Sequence, residues 1–269
     1  MKGKIKSVIS VVIIAVAAVC AILCEYVWRT RWISLPDGDL FYGIAVRALG
    51  SVVCLVFMFN FSSRRLLSAR TRGAAILAIL PCMLIAINNF PFVSVISRDA
   101  YIGGSLSQIS IYGLMCICVG LFEELAFRGC IFYSIIERRN GTKADVFWSV
   151  VLSSAVFGVI HIINLFMGSD PGAVLLQIGY SFLIGALCSI ILIKTQNIWW
   201  CVLFHSVYNF AGGVVPRFGG GIIWSHGEII LTVAVSVTVA IYTVVLFMKI
   251  SPQEILHLYE SETVEDKEK

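Results

Sequence analysis

The sequence predicts an all-α fold: a polytopic transmembrane helical bundle of about eight helices, with both termini cytoplasmic. Three observations predict it. Of the 269 residues, 59% are hydrophobic and 13% charged, and mean hydropathy is +0.92; soluble domains lie near about 45–50% apolar. The apolar residues come as continuous runs of roughly 18–25, the length a helix needs to cross a hydrocarbon core. They do not alternate in ten-residue segments, which separates a helical bundle from a barrel. Lysine and arginine also alternate between successive loops, as the positive-inside rule requires of a multi-pass chain.

Taken in order, the first helix is expected at 7–28. Lys2, Lys4 and Lys6 precede an apolar run from Val8 to Leu23. That run is long for a signal sequence and lacks a small-residue exit, so it reads as a retained anchor. Helices follow at 40–61 and 73–90, the latter with Pro81 expected to kink it. The run 106–136 is too long for one straight span and should project from the membrane or bend near Gly129. Further helices are expected at 145–167, 173–193, 198–212 and 227–249. The short seventh carries Trp199–Trp200, a pair suited to a membrane–water interface. Residues 251–269 form a polar, acidic tail, read as a partly disordered cytoplasmic extension. The whole chain, 1–269, reads as a single transmembrane domain without internal repeats.

With the N-terminus inside, the inner segments carry Lys2, Lys4, Lys6, Arg64, Arg65, Arg70, Arg72, Arg138, Arg139, Lys143, Lys194, Lys249, Lys267 and Lys269. The outer ones carry only Arg29, Arg31, Arg98 and Arg217. Misplacing one span would scramble this asymmetry, so it supports an even count. The net charge of +4 is spread over loops and does not suggest nucleic acid. Nearly all nine cysteines lie inside apolar runs, without a CxxC, and read as small hydrophobes rather than a disulfide framework.

Charge inside a span is costly and marks function by default. The stretch Gly120-Leu-Phe-Glu123-Glu124-Leu-Ala-Phe-Arg128-Gly129 places two carboxylates and an arginine in an apolar helix. Glu124 and Arg128 stand at i,i+4 and can pair on one face. Glu123 is turned about 100° away and lacks that partner, which leaves it able to take or give a proton. A purely structural Glu–Arg pair would explain Glu124 and Arg128 but leave Glu123 idle. His161 lies late in the fifth helix, after Phe157, and His205 and Asn209 share a face of the seventh. Asn164 is a minor candidate partner of His161. His226 and His257 read as incidental, and Arg47 is an intramembrane charge without assigned chemistry.

These three motifs, Glu-Glu-xxx-Arg at 123–128, Phe-xxx-His at 157–161 and His-xxx-Asn at 205–209, resemble the CAAX prenyl protease and bacteriocin-processing (Abi) family of intramembrane glutamic proteases. The resemblance covers roughly 105–212, the expected protease core. It implies that Glu123 and His161 activate a water, that His205 and Asn209 stabilise the oxyanion, and that Glu124 and Arg128 support the site. It implies no cofactor. It also implies a membrane-associated protein or peptide as substrate, in a multi-pass cell-membrane protein. The small size and lysine-rich start suit a bacterial plasma membrane, where a peptide precursor, bacteriocin leader or signalling peptide is a more natural substrate than a prenylated protein.

Three alternatives stay open. Glu123, His161 and His205 could form a two-histidine, one-carboxylate zinc site, although no HExxH motif is present. Some members of the family are described as immunity or regulatory proteins, so the chain could bind a partner without catalysis. A transporter using Glu123 as a proton relay is disfavoured by the lack of an inverted repeat. Helix depth hints at a cavity reached from the cytoplasm. Oligomeric state leaves no trace in the sequence.

Overall fold

The structure, a computed structural model, describes residues 37–258 apart from 61, 62, 69, 70 and 72. The helix expected at 7–28 and most of the acidic tail lie outside the described residues. Among these residues, six helices are long and apolar enough to cross a membrane. They are α1 (Gly38–Asn60), α4 (Leu106–Ile136), α5 (Lys143–Phe166), α6 (Pro171–Thr195), α7 (Ile198–Phe218) and α8 (His226–Met248). The shorter α2 (Gly73–Ile87) and α3 (Phe92–Ile96) lie between α1 and α4. The protein is a multi-pass helical bundle, and every expected helix within the described residues is present.

The ends of these helices are written in local chemistry. Ser105 and Thr142 open α4 and α5 with capping boxes closed by Gln108 and Asp145. Asp170 caps α6 with Pro171 at its first position, and Asn197 caps α7. Two boundaries differ from expectation. Helix α2 stops at Ile87 because Pro91 forces the preceding turn out of helical geometry. Helix α7 runs on to Phe218, past the end expected at residue 212 and through Gly212 and Gly213. Those glycines are packing sites: a Cβ at Gly212 would strike Asn89, and one at Gly213 would strike Tyr112.

The bundle is centred on α6 and α7. Residues Leu187 to Ile193 of α6 are all buried, and Arg128, Phe132, Phe157 and Phe204 are among the largest fully buried side chains. Small residues allow close helix approach. A Cβ on Gly120 would meet Ser206 Oγ and lie 3.0 Å from the Val202 carbonyl, so this glycine sets the contact between α4 and α7. Outward-facing Leu49, Leu77 and Ile230 are about 70% exposed, as lipid contact demands.

The two ends of the bundle differ. At one, strand β1 (Ala100–Ile102) pairs antiparallel with β2 (Gly219–Gly221), which ties the start of α4 to the end of α7. At the other, the described start of the acidic tail is ordered. Residues Pro252–Leu256 form α9, and Ile255 and Leu258 are buried. Arg65 donates to the Leu258 carbonyl, Lys143 to that of Met248 (2.7 Å), and Lys194 pairs with Glu254 at 3.3 Å. The basic loops of the positive-inside reading thus gather at this end.

Candidate active site

Helix α4 carries the first motif at a change of backbone geometry. It is α-helical from Leu106 to Glu124 and π-helical from Leu125 to Phe132. The bend expected near Gly129 is therefore a widening of the helix, of the kind that often marks a functional site. Helix α5 tightens to a 3₁₀ turn over Ile160–Ile162, at His161 itself. Helix α7 is regular and presents His205 and Asn209 one turn apart.

A cavity of about 440 Å³ lies between α1, α4, α5, α6 and α7, and Glu123, His161, His205 and Asn209 all line it. Glu124 and Arg128 stand behind its wall, 0% and 1% exposed. Arg128 Nη1 donates to Glu124 Oε1 at 2.9 Å, the pairing the i,i+4 spacing predicts. Glu123 turns the other way, with its side chain 21% exposed. The sequence thus foretold the division between the two carboxylates.

It did not foretell that Glu124 also holds His205. The ring Nδ1 lies 2.7 Å from Glu124 Oε1. A carboxylate paired with arginine is an acceptor, so Nδ1 carries the proton, and Nε2 is left facing Glu123 Oε2 at 3.5 Å. The Nδ1 of His161 lies 2.9 Å from the Phe157 carbonyl, which can only accept, so its Nε2 is likewise free of that bond. Phe157 joins the set. Its ring meets those of His161 and His205 edge-on at 5.3 and 5.8 Å, and the Arg128 guanidinium lies 4.6 Å from its centroid. Tyr112 Oη donates to the Asn209 carbonyl at 3.4 Å, leaving the side-chain amide for the cavity.

Sequence reasoning also missed the rest of the lining. Arg47 of α1 borders the same cavity, as do Gln177, Tyr180 and Tyr208. Arg47 had a signal, a charge inside a span, but the tyrosines look like ordinary core aromatics. Asn164 lines the cavity but donates to Gln177 Oε1 at 2.8 Å rather than to His161.

Among the described residues, Glu124, Cys188 and Cys201 bring ligand atoms within 4.8 Å of one another, and Glu123, His161 and His205 do not form such a group. The Glu124 carboxylate in the former already faces the Arg128 guanidinium, which supplies its counter-charge.

Residues 105–211 match the family model of the Rce1-like, type II CAAX prenyl endopeptidases. The matched span begins at the capping serine of α4 and ends two residues past Asn209, so it contains all three motifs. No curated protein and no solved structure matches the chain.

Proposed function

We propose that this chain, which matches the Rce1-like type II CAAX prenyl endopeptidases over residues 105–211, hydrolyses a peptide bond in a membrane-associated protein or peptide precursor without a metal. The family is one of CAAX-type endopeptidases, and the chain is a multi-pass membrane protein. Its membrane is taken to be a bacterial plasma membrane.

One observation carries it: four polar side chains from three helices line one cavity inside an apolar bundle, with an ion pair sealed behind them. Peptide hydrolysis needs a base for water and donors where the oxyanion develops. Glu123 is the base, since its carboxylate reaches the cavity unclaimed by Arg128. His161, tethered by Nδ1, presents Nε2 to the same water. His205 and the Asn209 amide face the carbonyl oxygen. Glu124 holds the His205 ring through Nδ1, so that Nε2 is the nitrogen turned toward the cavity. The Arg128 guanidinium, donating to Glu124 Oε1 at 2.9 Å, fixes the carboxylate that holds the ring.

The test compares peptide termini by mass spectrometry between cells carrying the unsubstituted chain and cells carrying Glu123→Gln at equal membrane levels. Termini present only with the unsubstituted chain support proteolysis and identify the substrate. A phenotype retained by the variant, with no difference in termini, would favour a partner-binding role.

A further inference from the structure

We infer that the cavity is served from the extracytoplasmic side of the membrane, so that the peptide it takes is a segment presented at the outer leaflet or beyond. The inference deepens the proteolytic reading and rests on it, but the geometry beneath it is independent of chemistry.

The cavity has a closed end and an open one. Its floor is formed by Glu123, Phe127, His205 and Ile184, about midway along their helices. Below that floor lie Glu124, Arg128, Leu187, Cys188 and Cys201, each no more than 1% exposed. Nothing the size of a peptide passes through that layer. In the other direction the lining continues along α5 from His161 through Asn164 to Met167, and then to Ser169 in the turn before α6. It returns down α6 through Gln177 and Tyr180. The α5–α6 turn, where Gly168 adopts a φ of 84° with open space around it, is thus the rim of the cavity.

The charges say which side that rim faces. It lies at the same end as the β1–β2 ribbon, because α4 begins and α7 ends there. Among the described residues, this end holds Arg98 and, in the last turn of α7, Arg217, which is paired with Asp39 at 2.7 Å. The opposite end holds Arg64, Arg65, Arg138, Arg139 and Lys194, together with α9. Lysine and arginine concentrate in the short loops that stay in the cytoplasm. The blind end therefore faces the cytoplasm and the open end faces out, the reverse of what helix depth in the sequence suggested.

Sidedness can be read directly with a permanently charged, membrane-impermeant methanethiosulfonate on the full-length chain. Ser169→Cys marks the rim, Gln177→Cys the cavity wall, and Arg139→Cys the opposite end, each judged above the background of the unsubstituted chain. The expected result is labelling of 169 and 177 at least fivefold faster in sealed right-side-out vesicles than in inverted ones, with the order reversed for 139. Labelling of either 169 or 177 only in inverted vesicles, or of 177 in neither, overturns the inference. Outside labelling with no new peptide termini would uphold the access route and sink the proteolytic reading. New termini with inside labelling would do the opposite.

Discussion

The imidazole of His205 rests on the carboxylate of Glu124, Nδ1 to Oε1 at 2.7 Å, across 81 residues of sequence. The same oxygen accepts from Arg128 at 2.9 Å. One buried carboxylate thus fixes both the helix it belongs to and the ring that faces the cavity from α7. A second glutamate, Glu123, adjacent in sequence and turned the other way, lines the cavity.

The first prediction separates those two carboxylates. Glu124→Gln removes the counter-charge of a guanidinium that is 1% exposed. Breaking one side of a buried pair costs about 3–5 kcal/mol. We expect a lower melting temperature in detergent, together with lost activity. Glu123→Gln, at the cavity surface, should leave the melting temperature within a degree or two and cut turnover by about 10²–10⁴, the usual contribution of a general base. If the two variants melted alike, the assigned division of labour would be wrong.

Asn209 tests the other half of the site. Its side chain lines the cavity, and its carbonyl, not its amide, is the group bonded to Tyr112. Asn209→Ala should therefore leave the fold intact and reduce turnover at least tenfold, up to the roughly 10²–10³ that an oxyanion donor contributes. The effect should fall on kcat with KM little changed, because the donor acts on charge absent from the bound substrate. Steady-state kinetics on purified protein, with equal turnover of variant and unsubstituted chain, would remove Asn209 from the mechanism.

Much of this was legible in the sequence, for reasons that are local. A span announces itself by composition, and the Glu124–Arg128 pair by i,i+4 spacing, so both could be read without a structure. The grip of Glu124 on His205 could not, because it depends on how α4 and α7 pack. Gly120 sets that packing, and a glycine in an apolar helix does not declare its neighbour. The proposed orientation of the cavity was hidden for a related reason. Depth along one helix gives no direction until the layer of Arg128, Leu187 and Cys201 is seen to close one end. The ordered start of the tail was hidden because its anchors, Arg65, Lys143 and Lys194, come from three distant loops.

Gly120 gives a stability prediction. An added Cβ would strike Ser206 Oγ and press on the Val202 carbonyl at 3.0 Å. The carbonyl belongs to a helix and cannot give way alone, so α4 and α7 must separate. Overpacking of this kind costs about 1–3 kcal/mol, and the shift would also loosen His205 on Glu124. Gly120→Ala should lower both melting temperature and turnover. Gly179, whose Cβ would meet nothing within 4 Å, is the control: Gly179→Ala should change neither. Equal melting of the two variants would show that the helix contact is softer than the packing implies.

The last prediction concerns metal. A zinc hydrolase would need Glu123, His161 and His205 to converge on one ion, with donor atoms near 2.0–2.2 Å from it. Such donors lie within about 4 Å of each other, and this trio does not form a group that close. His205 Nε2 and Glu123 Oε2 lie 3.5 Å apart, which brings together two of the three. The buried Glu124, Cys188 and Cys201 are closer together, but an ion there would sit beside the Arg128 guanidinium and compete with it for the same carboxylate. Coulomb repulsion in that low-dielectric interior opposes occupancy. Protein purified without added metal should therefore carry far less than one zinc per chain, and prolonged treatment with a chelator should leave turnover unchanged. One zinc per chain, lost in step with activity and restored with it, would instead require the site to close around an ion, with Glu123 as a ligand rather than the base.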